Sequence, residues 1–416
     1  MAVAAVRVPH TIEETGVPKS LLEALALKTL YIGGELSLLD LADRMQLSYP
    51  VAVELFERLR REQLCEVKGM DGGVHRIATT SGGKKEALDL LSQSQYAGPA
   101  PVSLKNYNQM VRAQSVKDFN VHPEDMVRGF RDLVLTDETL SQLGTAIVSG
   151  RAVFLYGPTG TGKTFIAETI PSVYQDSVWV PYAVEVDGQV VVVYDADMHV
   201  QLEGRPTESD GRWVLCRRPR VLAGGELTIE MLDLQFNPVT KYYASPLQMK
   251  ANNGVLILDD FGRQRARPEE LLNRWIAPLE RRTDYLTLVG GKKFELPFDM
   301  FLVFSTNLDP STLGDEAFLR RIQTKVKVGY VTRAQFHEIF RRLCLNMGMA
   351  YDAGVVDHVV DMLAEIDQPM RPCYPRDFME QIRWRAQYEG RPPALDREAV
   401  TLACRSYFVA PDLQGA

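Results

Sequence analysis

Apolar residues recur at helical spacing along the first part of the chain. SLLEALALKTL (20–30), LSLLDLADRMQL (36–47) and SYPVAVELFERLRREQL (48–64) each carry leucines and valines three and four apart. That spacing predicts three helices, the second and third meeting at a turn near Leu47 and Ser48. The period then changes. CEVKGMDGGVHRIAT (65–79) reads as two short strands around Asp71-Gly72-Gly73, and SGGKKEALDLL (81–91) returns to a helix.

Three helices followed by a hairpin resemble a winged helix, expected here over residues 18–91 behind a flexible arm at 1–17. Residues 92–115 (SQSQYAGPAPVSLKNYNQMVRAQS) are rich in Ser, Gln, Pro and Ala, which reads as a linker. From 116 to 330, apolar runs alternate with helical patterns, as in an α/β core built on a parallel sheet. Residues 331–416 return to helical spacing, in pieces such as RAQFHEIFRRLCLNM, VVDHVVDMLAEI and PRDFMEQIRWRAQYE, and read as a helical lid.

Two apolar runs end in chemistry. The first, Ala152–Tyr156, runs into Gly157-Pro158-Thr159-Gly160-Thr161-Gly162-Lys163-Thr164 and then a helical pattern. This is the P-loop pattern G-x-x-x-x-G-K-[ST] between the strand and helix it requires. The glycines let backbone N–H groups turn inward onto phosphate oxygens. Lys163 would bring a full charge to the β and γ phosphates, and Thr164 a hydroxyl to Mg2+. The expected ligand is Mg-ATP.

About ninety-five residues further on, GVLILDDFG (254–262) gives a second buried strand, Val255–Leu258, capped by Asp259 and Asp260. Ligands bind at that edge of an open α/β sheet. Asp259 is expected to hold Mg2+ through its water shell, and Asp260 to orient or deprotonate the attacking water.

By these motifs the chain resembles the AAA+ ATPases over about residues 116–400. The resemblance implies a parallel-sheet P-loop NTPase core with a helical lid. It also implies that FLVFSTN (301–307) is a sensor 1 strand whose Asn307 positions the lytic water. DEAFLRRI (315–322) resembles the arginine-finger segment, with Arg321 at the usual spacing and Arg320 as its rival. YPRDF (374–378) resembles sensor 2, with Arg376 reaching back from the lid. Most family members have Glu where Asp260 stands. The shorter side chain would leave its carboxylate roughly 1.5 Å further from a water placed for Glu unless the backbone compensates.

DYLTLVGGKKFELPFDM (284–300) reads as a hairpin turning at Gly290-Gly291 ahead of the sensor 1 strand. It resembles the pre-sensor-1 hairpin branch, with the MoxR-like group as the preferred neighbour. Between the two phosphate motifs, VWVPYAVEVDGQVVVVYDADMHV alternates around Asp187-Gly188, so a β insertion is expected at about 176–245. Tyr242 and Tyr243 within it are either substrate contacts or core.

Composition narrows the partners. The 416 residues are 45% hydrophobic and 24% charged, with net charge −7, which excludes polyanion binding by bulk electrostatics and leaves only a local basic patch open. Residues 18–95 carry ten Lys or Arg against eleven Asp or Glu. The leading end of the third helix, Ser48-Tyr49-Pro50-Val51-Ala52-Val53-Glu54, is apolar and then acidic. A duplex-reading helix needs the opposite. Five scattered cysteines give neither a zinc spacing nor a disulfide framework. No run approaches a membrane span, and MAVAAVRVPH is too short and too soon broken by Pro9 for a secretory signal. The expectation is a cytoplasmic AAA+ ATPase that closes into a homo-oligomeric ring, a hexamer by resemblance, and remodels a protein partner. The alternative is an ATP-dependent DNA-binding regulator.

Overall fold

The computed structural model describes residues 6–204, 206, 208–313 and 319–408. Part of the expected arm (1–5), the first half of the expected finger segment (315–318) and the last eight residues of the expected lid lie outside them. The molecule is α/β. Its main sheet has five parallel strands in the order Arg220–Ala223, Val255–Leu258, Phe301–Thr306, Ala152–Tyr156 and Thr324–Lys327. The chain divides into two compact units.

One unit comprises residues 121–173, 259–262 and 303–416. Ala152–Tyr156 pairs in parallel with Thr324–Lys327. Val153, Phe154 and Leu155 are fully buried, each such side chain contributing about 1.5–3 kcal/mol. The lid holds helices Arg333–Met347, Ala353–Glu365, Cys373–Tyr388 and Arg397–Tyr407. Phe336, Phe340, Val356, Val359, Phe378 and Val400 form its apolar centre. Local chemistry sets the helix starts. Thr332 and Gln335 form a reciprocal capping box, and Asp352 and Asp396 accept first-turn N–H groups.

The other unit comprises residues 1–120, 174–258 and 263–302. Its front part runs helix Lys19–Gly33, strand Glu35–Ser37, helices Leu38–Met45 and Tyr49–Arg61, the antiparallel pair Cys65–Asp71 and Val74–Thr79, and helix Ser81–Gln93. The hairpin expected at Asp187-Gly188 is present. Both residues have positive φ, and Ala183–Val186 pairs with Gln189–Val192. Thr283–Thr287 pairs with Lys293–Pro297 across the turn that holds Gly290 and Gly291.

Two expectations about organisation give way here. The stretch 92–115 is more than a linker. Val102–Ser103 pairs in parallel with Val184–Glu185, and Leu104–Ala113 is a helix that buries Tyr107 and Val111. Partly buried Leu104 and Met110 pack beside that pair, and the Ser, Gln and Pro around them hide the pattern. The supposed insertion at 176–245 also contains Arg220–Ala223, a strand of the main sheet. Its alternating burial, with Arg220 and Leu222 outward, marks an edge strand that lacks the apolar run of a central one.

The front part is stitched to the segments around it. Ala100 N–H donates to the Met45 carbonyl, Gln95 N–H to Thr240, and Tyr96 packs edge-on against Tyr242. Tyr243 is buried, and its hydroxyl accepts the Val289 N–H, so both tyrosines belong to the core. Residues 9–12 lie across the start of helix Tyr49–Arg61. Ser48 Oγ donates to the Pro9 carbonyl, and Ile12 N–H donates to Glu54 at 2.9 Å. Gly211 comes so close to Gln46 that an added Cβ would stand 2.4 Å from its carbonyl oxygen. Among the described residues, no helix is long and apolar enough to cross a membrane.

Candidate nucleotide site

The site is built from side chains and loops of the first-described unit. Strand Ala152–Tyr156 delivers the chain to Gly157, whose φ of 144° no other residue readily adopts. An added Cβ there would also stand 2.2 Å from the Val328 carbonyl oxygen. Gly160 and Gly162 have φ of 77° and 86°, and Gly162 opens the helix Lys163–Thr169. All three glycines therefore use the positive φ that a glycine-rich turn needs.

Lys163 is only 8% exposed, and its ammonium donates to the carbonyls of Gly157 (3.0 Å) and Pro158 (2.8 Å). Burial lowers its pKa, while the charges of Asp259 and Asp260 push it back up. Thr161 closes the loop from within, its hydroxyl donating to Pro158 at 2.9 Å. Pro158 and Thr159 supply the loop's leading edge.

Thr164 Oγ1 lies 3.1 Å and 2.9 Å from the two carboxylate oxygens of Asp259. This puts the hydroxyl and the carboxylate expected to share Mg2+ at one point. Among the described residues no group of three or more His, Cys, Asp or Glu gathers. A cation here would therefore draw its remaining ligands from phosphate and water, as Mg2+ usually does.

Asp260 is exposed and has a φ of 48°. The residue after it, Phe261, is fully buried against Phe154 and Phe304. Asn307 donates from Nδ2 to Thr159 Oγ1 at 3.2 Å, while its Oδ1 is buried without a partner. This leaves an acceptor beside the loop that is costly to bury unless it finds a partner.

The lid brings two arginines. Arg376 stands 5.0 Å over the Phe165 ring and is hydrogen-bonded to Asp377. Arg371, which sequence reasoning missed, packs with Cys373 against Gly160. A Cβ there would meet Cys373 Sγ at 2.9 Å and Arg371 Cδ at 3.3 Å. Arg371 Nε is buried without a partner. Arg320 is exposed and Arg321 half-buried, on a segment that Lys325 holds through the carbonyls of Leu319 and Ile322.

Beside Thr161 and Gly162 opens a cleft of about 310 Å³, lined by Leu133–Leu135, Phe165, Tyr330 and the lid side chains Leu343 and Asn346. That is within the range for a small-molecule pocket. Arg342 shapes one wall. Its Nη1 donates to the carbonyls of Arg131 (2.6 Å) and Leu133 (3.4 Å), and its Nε to Glu338 at 2.7 Å. The signal for this cleft was present but faint, as an apolar LVL run (133–135) and an aromatic directly after Thr164.

Residues 332–406 match a family model described as a domain of unknown function, DUF8689. No curated protein matches the chain in sequence. Among solved structures the chain is similar to variants of RuvB from Thermotoga maritima. One shares 12% identity over 70% of this chain and 72% of that one, at a TM-score of 0.37. Another shares 14% over 71% and 73%, at 0.37. A third shares 15% over 72% and 73%, also at 0.37. The P-loop NTPase fold rests on the strand order and the loop geometry described above.

Proposed function

We propose that the protein is an AAA+ ATPase that binds and hydrolyses Mg-ATP. The carrying observation is the Thr164–Asp259 contact directly below the Lys163 loop. P-loop backbone and Lys163 would hold the β and γ phosphates, Thr164 and Asp259 the cation, and the apolar cleft the nucleoside. When bound, Mg2+ would neutralise charge developing on the phosphoryl oxygens. Asp260 and Asn307 would orient the attacking water, and Arg376 would steady the nucleotide from the lid.

Hydrolysis in this reading drives a homo-oligomeric ring, with a hexamer as the working expectation, that remodels a protein partner in the manner of MoxR-like ATPases. Arg321 would reach the γ phosphate of the neighbouring subunit. Its mutation to Ala should leave nucleotide binding nearly intact and remove turnover of the assembled protein. If Arg320→Ala has that phenotype and Arg321→Ala does not, the finger is Arg320.

The front part has the element order of a winged helix, which keeps duplex binding as the second reading. Against it stand the balanced charge of residues 18–95 and the contacts of Pro9 and Ile12 across the start of helix Tyr49–Arg61. A salt titration of duplex binding separates the two. Steeply salt-dependent binding, lost on deleting residues 1–95, favours the regulator.

A further inference from the structure

We propose that Thr306 is a positioning residue for Asp260, and that the left-handed turn it buckles is the reason this chain carries aspartate there. The inference rests on the ATPase reading of the site.

At a φ of 48°, Asp260 occupies a backbone region that few side chains adopt. Asp and Asn are several-fold enriched there because a short polar side chain tolerates it, whereas Glu has no such preference. The turn is held from both sides. Phe261 N–H donates to the Ser305 carbonyl at 2.8 Å, and the Phe261 carbonyl accepts from Thr306 Oγ1 at 2.7 Å. The Phe261 ring is locked between Phe154 and Phe304, and Gly262 follows with a φ of 99°.

Thr306 is 1% exposed and its hydroxyl is fully committed. It donates to Phe261 and accepts the Leu308 N–H at 3.1 Å. It therefore acts on the backbone at both ends and leaves the neighbouring Asn307 to face Thr159. One hydroxyl fixes the turn that aims the second carboxylate and the residue that aims the amide. In this proposal the φ at Asp260 aims its carboxylate and the turn makes up for the missing methylene. The longer acid would strain the φ.

Four full-length variants test this by Mg-ATP affinity and steady-state turnover. Thr306→Val, which keeps the shape and removes the hydroxyl, should bind Mg-ATP within about twofold of the unmodified protein and lose at least about tenfold in turnover. Thr306→Ser should restore most of that loss. Asp260→Glu should turn over more slowly than the unmodified protein, and Asp260→Asn should bind without turning over. Turnover of Thr306→Val within twofold of the unmodified protein, or of Asp260→Glu at or above it, overturns the proposal. Should Thr306→Val fail to fold, Thr306→Ser and Asp260→Glu still decide. An unmodified protein that binds no Mg-ATP would remove the nucleotide reading itself, and the positioning role with it.

Discussion

Thr164 Oγ1 meets both carboxylate oxygens of Asp259, at 3.1 Å and 2.9 Å, across ninety-five residues of sequence. Neither group needs the other to complete a core. In the proposed reading this hydroxyl and carboxylate would hold Mg2+, whose other ligands would come from phosphate and water. Replacing Asp259 by Asn should keep the hydrogen bond and remove the charge. Turnover should fall by about a hundredfold or more, as when an electrostatic stabiliser is removed from other sites. Turnover measured against Mg2+ concentration checks this, and a variant whose Mg2+ dependence is unchanged would relocate the metal.

Glu338 and Arg342 should control affinity rather than chemistry. Arg341 and Arg342 hold the Glu338 carboxyl down to about 2, and Arg342 in turn grips the loop carrying Leu133. The pair is partly exposed, so the effect is discounted for solvent. Glu338→Gln should weaken nucleotide binding by about three- to tenfold through a loosened wall, with maximal turnover little changed. A drop in turnover at saturating nucleotide, with affinity intact, would contradict that division.

The contact of Gly211 with Gln46 should be needed for the front part to seat. Gly211→Ala puts a methyl 2.4 Å from a backbone oxygen that has no flexible end to move aside. The expected loss is about 1–3 kcal/mol, read from a denaturant titration of the full chain. An unchanged midpoint would mean the two segments part easily.

His199 should give the fold a pH dependence near neutrality. It is 1% exposed. Its Nδ1 accepts the Asp195 N–H at 2.9 Å, and its Nε2 lies 2.9 Å from the Lys250 carbonyl, an arrangement that requires the neutral ring. Burial lowers its pKa below the ordinary 6.5, which outweighs the opposing pull of the Lys250 carbonyl and the Asp195 charge. A base whose folded pKa is depressed stabilises the fold fully above 6.5. That contribution is lost as the pH falls from there through the folded value. Thermal midpoints should therefore decline below 6.5, and the decline should be shallower in His199→Gln. Parallel curves for the two proteins would assign the pH dependence elsewhere.

The fold of this chain was legible where it lay in local pattern. The strand–loop–helix around Gly157–Thr164 and the strand Val255–Leu258 declare themselves because positive-φ turns need glycines and a central strand needs an unbroken apolar run. The hairpin turn at Asp187-Gly188 was equally plain. The edge strand Arg220–Ala223 was missed because half of it faces out. Helix Leu104–Ala113 was missed because only Tyr107 and Val111 of it are fully buried and polar residues surround them. Arg371 and Arg342 could not be picked out from the many arginines around them. Their roles depend on which carbonyl or glycine the fold brings alongside.

Isothermal titration of the full chain with Mg-ATP, alongside Lys163→Ala, tests the central claim most directly. With Lys163 8% exposed and its ammonium on the Gly157 and Pro158 carbonyls, saturable binding is expected of the unmodified protein and none that can be measured of the variant. Equal heats from both proteins, or none from either, would contradict it.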